Sequence, residues 1–183
     1  MLECPASVCD QNWSGSMTGD QQNKMDLLRA TRFAAEFSED ELHALALTAQ
    51  EVLVPPGKVV FTEGHIESDV FVVCSGRIAL EMNVPRRGPV RLLTVGSGEL
   101  LGWSCLIGDG RMTATAIATE ESVLLGFSCM KLQRLCRNDC RLGFLLMQRT
   151  AQAVSERLLA TRLQLLDLYS ETEPHQRVSI GRG

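Results

Sequence analysis

The hydrophobic positions of the first 23 residues follow no period. This stretch is polar and rich in Ser, Gly, Asn and Gln, and it reads as a loose N-terminal tail. From Lys24 a helical period sets in, with Met25, Leu28 and Phe33 able to share one face. Ser38-Glu39-Asp40-Glu41 has the form of a capping box, in which the Ser38 oxygen accepts from the Glu41 amide and Glu41 reaches back. Leu42, Leu45, Ala46 and Ala49 then recur at helical spacing, so a short helical hairpin is expected.

Pro55-Pro56-Gly57 ends that regime. Short strands are predicted at 58–61, 70–74, 77–84, 90–95, 99–101, 113–118 and 123–127, with turn residues between them. The clearest is Arg77 to Val84, where Ile78, Leu80, Met82 and Val84 point one way and Arg77, Ala79, Glu81 and Asn83 the other. Pro85-Arg86-Arg87-Gly88-Pro89 cannot continue a ladder and makes a hairpin tip. Strands of this length and spacing argue a mainly β sandwich or barrel with a jelly-roll path and flanking helices.

After Phe127 the helical period returns. Ser128 is expected to cap a short helix through Leu135, and Asn138 or Asp139 a long one reaching about Leu168. Along it Phe144, Met147, Ala151, Val154, Leu158, Thr161, Leu165 and Leu168 alternate in steps of three and four, a heptad seam broken only by Thr161. Leu142, Leu145, Leu146, Leu159, Leu163 and Leu166 fall off that seam. One stripe can pack on the strands while the other meets a partner helix, which makes a homodimer the expected assembly. The competing reading is one broad face buried within a single subunit. The polar stretch 169–183 is too short for two further helices, so no DNA-binding module is expected after the long helix.

A net charge of −4 disfavours a phosphate-tracking surface. No basic n-region with an apolar segment follows Met1, and no apolar run approaches membrane length, so a cytoplasmic location and no membrane contact are expected. Seven cysteines at 4, 9, 74, 105, 129, 136 and 140 contain no CxxC pair and do not read as a disulfide framework. Cys136 and Cys140 stand at i, i+4 spacing and could share a metal or a disulfide, but small packing residues are the simpler reading. His43, His65 and His175 have no metal-type spacing, and no Ser/His/Asp, HExxH, P-loop or GxSxG pattern occurs, so no enzyme is expected.

Three blocks add a resemblance. Pro55-Pro56-Gly57-Lys58-Val59-Val60-Phe61-Thr62-Glu63-Gly64, Asp69-Val70-Phe71-Val72-Val73-Cys74-Ser75-Gly76-Arg77-Ile78 and Gly98-Glu99-Leu100-Leu101-Gly102-Trp103 occur in this order. They resemble the conserved blocks of the cyclic-nucleotide-binding domain, as found in the bacterial catabolite-activator (Crp/Fnr) regulators and in kinase regulatory subunits. The likeness covers about residues 25–168. It implies a jelly-roll barrel followed by a long C-terminal helix, a regulatory role in signal transduction, and cyclic AMP or cyclic GMP as ligand.

The resemblance also implies a phosphate cassette within Leu101–Ala116, in which a short helix and an Arg hold the cyclic phosphate and a Glu accepts from the ribose. Gly102, Leu106, Ala114 and Thr115 match that pattern. Trp103 stands where the Glu belongs, and Met112 where the Arg belongs, with Arg111 one place early. An indole only donates, so Trp103 cannot accept from a sugar hydroxyl; it can stack on a base or fill the pocket. One step along a strand turns Arg111 to the opposite face unless a bulge re-aims it.

The candidate ligand-binding residues are Gly102, Trp103, Ser104, Cys105, Arg111, Met112 and Thr113. They fit a sensor for a nucleotide or other small anion. The alternative is a ligand-free structural domain with a degenerate pocket that acts on a protein partner. A redox or gas sensor using Cys105, Cys136 and Cys140 is a third reading.

Overall fold

The structure is a computed structural model that describes residues 18–172. The expected tail up to Met17, Cys4, Cys9, His175 and the segment beyond Thr172 lie outside the described residues. Helix α1 (Gly19–Arg29) begins earlier than its apolar period suggests, because Thr18 and Gln21 form a capping box of their own. A 3-10 turn (Arg32–Ala34) leads to α2 (Glu39–Thr48), where the Ser38–Glu41 box forms as expected.

Eight strands follow: β1 (Ala49–Val54), β2 (Val59–Phe61), β3 (Asp69–Ser75), β4 (Ile78–Val84), β5 (Gly88–Val95), β6 (Leu100–Leu101), β7 (Thr115–Ala118) and β8 (Ser122–Ser128). The hairpin pattern did not reveal β1, which continues directly from α2 and pairs antiparallel with β8 along its whole length. A single helical turn, α3 (Ser104–Ile107), sits between β6 and β7. Helices α4 (Cys129–Asn138) and α5 (Cys140–Thr172) close the chain's described part. Asp139 caps α5, its Oδ1 accepting from the amides of Arg141 and Leu142, whereas Ser128 makes no side-chain cap bond to α4.

The expected barrel does not form. The strands make two separate four-stranded antiparallel sheets, ordered β1-β8-β3-β6 and β2-β7-β4-β5. β1 pairs only with β8, and the two-residue β6 only with β3, so both edges of the first sheet stay open. The sheets meet through side chains instead of hydrogen bonds. The result is a mixed α/β fold of two sheets and several helices.

Alternation along the strands builds two cores. Val73 and Leu124 join Ile78, Leu80, Val95, Leu101 and Met112 between the sheets. Val70, Val72, Leu125 and Phe127 point the other way, toward Leu28, Phe33, Leu45, Leu132 and Leu146 of the helices. The central strands of the first sheet, β3 and β8, are thus buried on both faces, while the edge strand β1 leaves Gln50, Glu51 and Leu53 exposed.

Gly76 makes the β3–β4 turn possible. It holds φ at +85°, and a Cβ there would lie 2.2 Å from Ser122 Oγ.

Candidate functional site

The segment resembling the cassette leaves β6 through Gly102, whose φ of +71° lets the backbone pass against Asp69, where a Cβ would stand 3.0 Å from the carbonyl oxygen. Trp103, half-buried, precedes α3, which carries Ser104 and Cys105. Cys105 is disulfide-bonded to Cys129, the first residue of α4, with Cα atoms 6.1 Å apart. The expectation of unpaired cysteines is corrected at this one pair. Cys136 and Cys140 instead lie on different helices, separated by Asp139, and form no disulfide with each other.

Arg111 and Met112 face opposite ways. Met112 is buried between the sheets, its amide donating to the His65 carbonyl and its carbonyl accepting from the Gly64 amide. Arg111 lies outside, forms an isolated bridge with Ile66, and donates through Nη1 to the Gly64 carbonyl at 2.8 Å. Thr113 is exposed and Ser104 half-buried. The interior place that the resemblance assigns to a guanidinium is therefore filled by a thioether.

A guanidinium does approach this region, from α5. The Arg157 Cζ lies 5.3 Å from the centroid of the Trp103 ring, and its Nη2 donates to the Leu100 carbonyl. Burial pulls its pKa down to about 10, against the opposing pull of Glu99 and Glu156. Trp103 Nε1 is buried and has no hydrogen-bond partner among the described residues.

A cavity of about 160 Å³ opens beside Arg157, between α5 and β5–β6, bounded by Thr94, Val95, Glu99, Leu100 and Glu156. A neighbouring pocket of about 290 Å³ shares Glu99, Leu100 and Glu156 and adds Arg32, Phe33 and Arg149. There Arg32 pairs with Glu99, and Arg149 pairs with Glu36 at 2.8 Å. Neither cavity is lined by a residue of 102–113.

Motif reading missed Arg157 and Glu99. A signal for Arg157 existed: it continues the inward stripe Leu142, Leu146, Thr150 and Ala153 at helical spacing, where an apolar residue would be expected. Among the described residues no cluster of three or more His, Cys, Asp or Glu could hold a metal. No described helix is long and apolar enough to cross a membrane.

Comparison with known proteins agrees with this architecture. Residues 51–139 match the model of the cyclic nucleotide-binding domain family. These residues are a cyclic nucleotide-binding-type domain of the kind found in Crp/Fnr sensors. The cyclic AMP receptor protein of Thermus thermophilus is 33 % identical over 131 residues, covering 71 % of this chain and 58 % of that protein. The chain thus spans little more than half the length of this relative. The crystal structure of the Thermus thermophilus catabolite activator protein superposes with a TM-score of 0.61 at 28 % identity, covering 75 % of this chain and 62 % of that one. A cyclic nucleotide-binding domain from Methylobacillus flagellatus reaches a TM-score of 0.68 at 20 % identity, covering 85 % and 86 %, and attests the fold alone.

Proposed function

We propose that this protein is a non-catalytic cytoplasmic sensor whose ligand acts at the junction of the cassette and α5, and whose output is the arrangement of α5 in a homodimer. The observation that carries this reading is the Trp103–Arg157 contact, because it ties the N-cap residue of α3 directly to the long helix. A ligand that displaced Arg157 from Trp103 would change the seat of α5, and a ligand shifts a conformational equilibrium only through such differential contacts. The family membership and the Thermus relative favour a nucleotide or another small anion. The partner surface follows from exposure: Phe144, Met147 and Leu158 of the heptad seam face solvent, while Leu142, Leu145 and Leu146 are buried.

Isothermal titration with cyclic AMP and cyclic GMP tests the ligand. Heat of binding that is lost in Trp103→Ala supports it. No heat at millimolar nucleotide sinks the nucleotide version.

A second reading has its own support in Met112, which fills the interior position otherwise open to a phosphate partner. On that reading the domain is ligand-free and acts through α5 on another protein. It requires a melting temperature that no nucleotide moves.

A further inference from the structure

We infer that Cys105 and Cys129 form a reversible redox site, a dithiol that a hydroperoxide oxidises to the disulfide that joins the cassette turn to α4. The two sulfurs are brought together by the fold: Cys105 lies on α3 and Cys129 opens α4, 24 residues apart in sequence. Cys129 belongs to the buried apolar cluster of helices and first sheet, which includes Leu28, Leu45, Phe127 and Leu132, and Cys105 packs against that cluster. A chain with cores of this size needs no covalent staple, unlike the small secreted domains in which disulfides are structural.

Two of the other described thiols, Cys74 and Cys136, are poor competitors. Burial pushes the Cys74 thiol up to about 11, and burial also raises that of Cys136. The thiolate is the reacting species, so both are held in the unreactive form. Cys105 is half-buried and Cys129 nearly enclosed, which makes Cys105 the sulfur an oxidant reaches first.

The chemistry balances with hydrogen peroxide as oxidant. The Cys105 thiolate attacks one peroxide oxygen, the O–O bond breaks, and the departing hydroxide takes a proton to leave as water. The resulting sulfenic acid is then attacked by Cys129 sulfur; the S–O bond breaks and a second water leaves. Two thiols lose two electrons and two protons, and one peroxide becomes two waters. A dithiol reductant reverses the step by exchange.

The consequence is mechanical. Oxidation couples α3 to the first turn of α4, which runs through Asp139 into α5. Reduction leaves α3, a single turn, held by non-covalent contacts alone. The site stands apart from the nucleotide reading, because neither its formation nor its readout involves a ligand.

The test uses the full chain, reduced with dithiothreitol and then treated with hydrogen peroxide. Non-reducing proteolysis with mass spectrometry is expected to yield a linked Cys105–Cys129 peptide two hydrogens lighter than the reduced pair. Dithiothreitol is expected to remove the link and lower the melting temperature by about 5 °C. The same treatment is expected to leave the melting temperature of Cys105→Ser unmoved and to act on Cys140→Ser as on the parent chain. Cys105 and Cys129 both alkylated after peroxide treatment would overturn the site. So would a link mapped to Cys136 or Cys140, or one that resists dithiothreitol in the native chain.

Discussion

Arg157 of α5 stacks on Trp103, with 5.3 Å between the guanidinium carbon and the ring centroid, and caps the Leu100 carbonyl from the same side. No described carboxylate lies within ion-pair distance of this guanidinium, although Glu99 and Glu156 are near enough to be felt. The charge is therefore stabilised by an aromatic face and a peptide dipole in place of a direct partner.

That arrangement predicts an asymmetric mutant. Burying a guanidinium costs desolvation that a well-packed apolar chain of similar length avoids. Arg157→Met is expected to fold with stability unchanged or raised by about 1 kcal/mol, measured by urea denaturation. Its Trp103 emission, recorded in a Trp13→Phe background, is expected to shift because the cation has left the ring. A loss of more than about 2 kcal/mol would show that the contact serves stability and not coupling.

Met112→Arg restores the residue type that the family pattern places inside. Here it would set a charge between two apolar sheets, among Phe61, Ile78 and Leu101. An unpaired buried cation is expected to cost about 3–5 kcal/mol. Chemical denaturation checks the loss. Full stability would mean that the interior can open toward an anion or water.

Glu41 predicts the acid limb of stability. Burial opposes its ionisation, but the Ser38 amide at 2.6 Å and the Arg141 guanidinium outweigh it, holding the carboxyl below its ordinary value of 4.5. With the folded value depressed, the ionised group stabilises the fold above 4.5, and that contribution is lost as pH falls below it. Glu41→Gln is expected to flatten the decline of the melting temperature below that pH. An unchanged acid limb would remove Glu41 from the account.

Gly76→Ala tests the turn between the sheets. Its added Cβ would meet Ser122 Oγ at 2.2 Å and the Glu121 carbonyl oxygen at 2.5 Å, at a φ of +85°. Backbone strain of about 1–2 kcal/mol adds to an overlap of about 1–3 kcal/mol. A measured loss under 1 kcal/mol would mean that the β8 end yields freely.

The helix face predicts an oligomeric effect. Phe144 and Leu158 are exposed at 67 % and 51 %, large apolar side chains on the seam that a partner helix would cover. Phe144→Glu with Leu158→Glu is expected to convert a dimer to a monomer in light scattering while the melting profile stays cooperative. A monomeric parent chain would refute the interface.

Much of the molecule was legible in its residues because it depends on local rules. The Ser38–Glu41 box, the Pro55–Gly57 break, the Asp139 cap and the long helix follow from hydrogen-bond capacity and periodicity over a few positions. The opposed faces of Arg111 and Met112 were equally local, since a one-residue step on an extended chain reverses a side chain. β1 was not legible, because Ala49–Val54 follows a helix without a turn residue and acquires its identity from β8.

The sequence alone thus determined most of the helices and strands, though not β1, and that the cassette lacks its expected Arg and Glu. Tertiary structure decided that the sheets stay open, that Cys105 meets Cys129, and that Arg157 supplies a cation over Trp103. The reason is distance along the chain. Periodicity tells which face of a helix is buried, but only the packing of α5 across β5 and β6 specifies which side chain it buries against.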